Sequence, residues 1–190
     1  MRRLSVRPAL TIKGRKFKGL RGYAGKPFHP PLTDIPIAAY LLAAAADVAS
    51  VIAGDGRAAG QDLWHAGSYA FVGGVAVSLL AALTGFWDWW KSSEAGTQAR
   101  RTANTHALVM ITVTVLALID LVIRLNRYDD AVAPVGVMVL SLVVAGLVSV
   151  GATYGGSLVF DYGFNVETAG DSPVWHKSET DVLPGQEHTT

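Results

Sequence analysis

Six ionisable residues, His29, Asp47, Asp88, His106, Asp120 and Arg124, lie within or at the mouths of long apolar stretches. An ionisable group in such a place needs a compensating partner or a task. Two neutral imidazoles such as His29 and His106 can hold a b-type haem iron from opposite sides. With the carboxylate of Asp88 they make a donor set suited to a divalent metal such as zinc. Asp120 and Arg124 stand four apart, the spacing of a helical ion pair. His65, next to Trp64, is an ordinary interfacial histidine. The chain has no cysteine, which removes thiolate metal sites, iron–sulphur ligation by this chain, c-type haem attachment, disulfides and cysteine acylation.

The elements that must position these groups are four apolar stretches, at about residues 33–53, 66–87, 106–123 and 131–152. Each approaches the roughly 20 residues that cross the hydrocarbon core of a bilayer as a helix. Of the 190 residues 51% are hydrophobic and 16% charged, against about 25% charged in a soluble domain. The fold class that follows is all-α integral membrane, an up-down four-helix transmembrane bundle. A basic arm over residues 1–31 precedes the domain of residues 32–164, and a polar, flexible tail follows over 165–190. The arm has no uninterrupted apolar core and no cleavage site of a signal peptide, so the first span is expected to be retained.

An even number of crossings puts both termini and the loop between spans two and three on one side. That side carries nine bases before residue 34 together with Lys91, Arg100, Arg101 and Lys177, whereas the other carries Arg57, Arg124 and Arg127. The imbalance places both termini in the cytoplasm. The arm reads equally as a dock for anionic lipid and as an orientation signal alone. No nucleic-acid partner is expected.

Thr33 and Asp34 are expected to cap the first span, and Pro36 to fall early enough to give up no used donor. Ala70, Gly74 and Ser78 in span two, and Ser141, Ala145 and Ser149 in span four, present small residues four apart, which lets helices approach closely in lipid. Such a face serves packing within the bundle or between copies. Trp87, Trp89 and Trp90 mark an interface. His29 stands before two prolines and ahead of the apolar run, which predicts a loop at headgroup depth. His176 and His188 read as solvated. No useful internal repeat is visible.

In this topology spans one and three are diagonal partners, so His29, Asp88 and His106 gather at the cytoplasmic end and Asp47, Asp120 and Arg124 at the outer end. Bundle cores are where facing side chains build cofactor sites. For the inner group the readings are backbone-pinning histidines, a contact to haem or quinone, or a metal site. For the outer group they are a charge network that fixes helix register, which is favoured, and a proton or ion path. With its acids compensated by Arg124, this group is expected to lack a spare site for transport.

The segments GKPFHPPLTDIPIAAYLLAAAADV (25–48), GFWDW (85–89), ARRTANTHAL (99–108) and YGGSLVFDYGFNV (154–166) occur in an order that resembles the bacterial membrane family catalogued as domain of unknown function 2231. The resemblance covers about residues 22–167 and implies a four-helix, multi-pass domain of the bacterial inner membrane without an established activity. By position, His29, Pro30, Pro36, Asp47, Asp88, His106, Arg124, Gly155 and Gly156 match its recurring residues. Relatives fused to a Rieske iron–sulphur domain imply company with electron transfer, and residues 175–185 faintly resemble the lead-in to such a domain. The paired glycines are expected to turn the chain sharply after span four, folding Leu158 to Phe160 back towards His29.

The expectation is a membrane subunit, non-catalytic on its own or associated with electron transfer, with b-type haem the leading cofactor and a redox or other membrane-complex partner. The alternatives are a structural protein anchoring a partner through its arm and tail, and a small proton or ion transporter. Four short spans without broken helices disfavour the transporter.

Overall fold

A computed structural model describes residues 19–20 and 27–166, which contain four helices and no strand. They are α1 (His29–Ala53), α2 (Ala58–Ser92), α3 (Gln98–Asn126) and α4 (Val135–Phe160). Each is long and apolar enough to cross a membrane. Around the bundle α1 packs on α2 and α4, and α3 packs on the same two, so α1 and α3 face each other along a diagonal without backbone contact. Most of the basic arm (1–18 and 21–26) and most of the tail (167–190, with His176 and His188) lie outside the described residues.

The helices exceed the apolar stretches at most ends, because membrane helices continue into polar sequence wherever their terminal groups find partners. α1 begins at His29, not in a loop, since Pro30 and Pro31 fill first-turn positions that use no N–H donor. Thr33 therefore does not cap; its hydroxyl donates to the Pro30 carbonyl at 2.7 Å inside the first turn. Pro36 lies inside this longer helix, where it removes the bond to the Leu32 carbonyl. α3 begins at Gln98 because the Thr97 side chain accepts from the Arg100 N–H at 3.1 Å. The expected turn at Gly155 and Gly156 is overturned: α4 runs through both to Phe160.

α2 has 35 residues, about 52 Å at about 1.5 Å per residue, against a hydrocarbon core of roughly 30 Å. Its ends therefore reach past the apolar layer. At the end shared with the termini, Lys91 lies over the rings of Trp90 and Trp87, and Arg100 over Trp89. This aromatic and basic belt is what an interface selects.

The core is small and apolar: Tyr40, Ala43, Phe71, Val75, Val113, Ala117, Val144 and Val148. Gly74 allows the α1–α2 contact, since a Cβ there would meet the Ala39 Cβ at 2.9 Å and the Tyr40 ring at 3.1 Å. Ser78 on the same face accepts from the Tyr40 hydroxyl at 3.0 Å. In α4, Ser141 and Ala145 are buried while Ser149 is exposed. Leu42, Leu83, Leu108, Val122 and Phe160 point outward, whereas Asp47, Asp120 and Arg124 point in. Apolar side chains outside and charges inside suit lipid as solvent.

Candidate functional site

The two ends of the α1–α3 diagonal carry the polar groups. His29 and Asp47 are eighteen residues apart, and so are His106 and Arg124. Eighteen residues make about five turns, so each pair shares one helix face. Turning both faces inward brings His29 to His106 at the end shared with the termini, and Asp47 to Arg124 at the other.

At the first end the imidazole centroids are 6.5 Å apart with planes at 77°. His29 Nδ1 lies 2.9 Å from the Ala81 carbonyl oxygen of α2 and 3.3 Å from the Thr84 hydroxyl. His106 Nδ1 lies 2.9 Å from the Gly151 carbonyl oxygen of α4. A carbonyl only accepts, so in each ring Nδ1 carries the hydrogen and, in the neutral tautomer, Nε2 presents a lone pair.

The docking is the same in both hairpins. A helical carbonyl of residue i points along the axis towards residue i+4, and here that residue is Gly85 for Ala81 and Gly155 for Gly151. A Cβ on Gly85 would sit 2.7 Å from His29 Cε1, and one on Gly155 would sit 3.3 Å from His106 Cε1. Each glycine thus leaves the space in which a histidine reaches a neighbouring backbone. His29 stands at the mouth of α1, but the pair lies well inside α2: Ala81 is six to nine residues before Trp87 to Trp90, about 9 to 14 Å below the tryptophan belt.

Asp88 does not complete a three-residue donor set with the histidines. Its Oδ1 accepts from the Leu20 N–H at 3.1 Å, and Leu20 in turn accepts from the Phe28 N–H. The buried carboxylate ties the chain ahead of α1 to the last turns of α2. Among the described residues no three His, Asp or Glu side chains converge as a metal site would require.

At the opposite end Arg124 is fully buried and donates twice to Asp47, at 2.9 and 2.7 Å, and once through Nε to Asp120 at 2.9 Å. Its Cζ lies 4.7 Å from the ring centroid of Trp64 and 4.6 Å from that of Phe71. Gly67 makes room for the bidentate pair, since a Cβ there would be 3.0 Å from Asp47 Oδ1. Trp64 Nε1 donates to the Tyr128 carbonyl at 3.0 Å, and the His65 ring stacks on Tyr128 while Nε2 donates to the same oxygen at 3.1 Å. The α3–α4 connection is thereby fixed over the charged cluster. The Tyr128 hydroxyl, outside the spans, is pushed above the ordinary tyrosine range by its hydrogen bond to Tyr69.

Residue types and depth pointed to the histidines and the charged triad. They did not point to Gly67, Thr84 or Gly151, because those act through tertiary neighbours. The eighteen-residue spacing was the available signal for pairing the ends.

The chain belongs to the family described as "Predicted membrane protein (DUF2231)", whose model matches residues 25–168. No curated protein and no solved structure matches it. With its four apolar helices it is a multi-pass membrane protein.

Proposed function

We propose that this DUF2231 protein is a bacterial inner-membrane subunit that holds one ligand between His29 and His106, near the cytoplasmic face, with b-type haem the first candidate and a quinone headgroup the second. One observation carries the reading: both Nδ1–H groups are spent on backbone carbonyls, which fixes both rings in the tautomer that offers Nε2 to a ligand. The spacing supports it. The ring centroids stand 6.5 Å apart, so both imidazoles would hold a single group between them. Haem, once bound, supplies one-electron chemistry; the chain's share is to fix two imidazoles at a set depth. For a quinol, the same Nε2 atoms accept from its hydroxyls. The Rieske-fused relatives that the family likeness implies fit either ligand, and the bias of bases towards the side of the termini supports the cytoplasmic assignment.

A second reading rests on the matched glycines. The histidines then act as rivets, each fastening one helical hairpin by a side chain to backbone bond, with no ligand.

The test uses full-length protein purified in mild detergent from haem-replete cells, with spectra taken oxidised and dithionite-reduced. The expected result is a Soret band lost in both His29→Ala and His106→Ala. A quinone is sought by extraction and a bare metal by elemental analysis. Preparations free of haem, quinone and metal, with both variants merely less stable, would leave the rivet reading in its place.

A further inference from the structure

The buried triad at the far end is not balanced. It holds two carboxyl groups and one guanidinium, all with fully buried side chains. Arg124 uses Nη1 and Nη2 on Asp47, Nε on Asp120, and Nη1 again on the Ser68 hydroxyl at 3.4 Å. Ser68 in turn donates to the Trp64 carbonyl at 2.8 Å, so its oxygen is an acceptor for Arg124. Asp47 thus receives two charge-assisted bonds. Asp120 receives one on Oδ1, and its Oδ2 is buried with no hydrogen-bond partner.

Two ionised carboxylates here would leave one net negative charge enclosed by Trp64, Phe71 and apolar helix surface, with a carboxylate oxygen that nothing solvates. Burying an unpaired charge is among the most expensive arrangements a protein can hold, and the group neutralises instead. Asp120 lies six residues before the end of α3, about 9 Å inside the helix terminus. Among the described residues the only other buried charged side chain is Asp88, at the opposite end of the bundle. Arg124 meets the Ser68 hydroxyl and the Trp64 and Phe71 rings of α2, and the other buried polar side chains of α1 and α4, Tyr40, Ser50 and Ser141, are uncharged. Arg127 is engaged with Asp130 in an exposed pair.

We propose that Asp120 is a proton-binding site in the membrane core, carrying the proton on Oδ2, so that the resting triad is an Asp47–Arg124 ion pair beside a neutral carboxylic acid. Oδ1 of the acid still accepts from Arg124 Nε. The site that charge compensation was expected to close is therefore open to one proton, and Asp120 exchanges it while Asp47 stays ionised.

The experiment is infrared spectroscopy of the full-length protein in detergent and in liposomes, titrated from neutral to alkaline pH, on wild type, Asp120→Asn and Asp47→Asn. The expected result is a protonated-carboxyl C=O band at neutral pH that shifts in deuterium oxide, falls as the pH rises, and is missing in Asp120→Asn. Asparagine copies the neutral acid, so that variant should keep the wild-type melting temperature to within a few degrees, while Asp47→Asn should melt far lower. Absence of an Asp120-dependent band at neutral pH overturns the proposal. So does a melting temperature that rises with sodium or potassium and needs Asp120, because the occupant is then a metal cation. An Asp120→Asn chain that fails to fold, or is as damaged as Asp47→Asn, also overturns it.

Discussion

Substitution of Gly85 by alanine should unfasten His29 while leaving every other polar group in place. A Cβ at this position would lie 2.7 Å from His29 Cε1 and 3.1 Å from each ring nitrogen, closer than packed atoms sit, so the ring must swing away from the Ala81 carbonyl. Overpacking of this kind costs about 1 to 3 kcal/mol. Loss of the His29–Ala81 hydrogen bond adds about 1 kcal/mol, and the greater helix propensity of alanine returns about 1 kcal/mol. The net is a loss of about 2 kcal/mol, or about 4 to 8 °C in melting temperature for a chain of this size. Internal controls lie on the same helices. Gly73 on α2 and Gly146 on α4 have nothing within 4 Å of an added Cβ, so alanine there should be neutral or raise the melting temperature. Gly155, with His106 Cε1 at 3.3 Å, should fall between. Thermal unfolding of the four variants in one detergent gives the order, and the wild-type signature of any bound ligand should vanish in Gly85→Ala alone or most strongly. A Gly85→Ala protein as stable as Gly73→Ala would refute the docking of His29 on α2.

The charged end should respond by removal of partners: Arg124→Met strands the fully buried Asp47 and should destabilise by about 3 to 5 kcal/mol, measured by thermal or chemical unfolding in detergent. Trp64→Phe keeps a ring over Arg124 but deletes the donor to the Tyr128 and Arg127 carbonyls; a loss of about 1 kcal/mol is expected, together with faster amide exchange in the α3–α4 connection. Asp88→Ala removes the acceptor of the Leu20 N–H. A bond to a charged acceptor contributes about 1.5 to 3 kcal/mol, so exchange of the Leu20 amide should accelerate by roughly 10- to 100-fold, with the melting of the bundle little changed.

The four spans were legible in the sequence because a bilayer imposes a length and an apolar composition that few other structures need. Their ends were not, for reasons visible at single residues. QARRTANT, the polar start of α3, is helical because Thr97 caps it and Arg100 folds back to donate to the Ser93 carbonyl and hydroxyl. The start of α1 at His29 follows from prolines that suit a first turn as well as a loop. The meeting of Asp47 with Arg124 could be anticipated from depth alone, since α1 and α3 run parallel and the two groups lie six and two residues from the ends of their helices on the same side of the bundle. The partner of Asp88 could not, because it is a backbone N–H at Leu20. Gly155 read as a turn because glycine permits one. In the bundle it serves a neighbour instead, and the conformational freedom of the residue goes unused.

The matched spacings explain how a diagonal pair of helices is held at all. α1 and α3 make no backbone contact, and lipid supplies little hydrophobic drive to bring helices together. Small residues let α1 approach α2 at Gly74 and α3 approach α4 at Gly151, but across the diagonal only longer side chains reach. Arg124 does so at one end by a bidentate bond to Asp47. At the other end the His29 and His106 rings stand 6.5 Å apart without bonding, each held from behind by the next helix. The two ends are thus unequal by construction. The charged end closes the diagonal with groups of this chain, whereas the histidine end fastens each helix to its own neighbour and leaves the two rings unbonded across the diagonal.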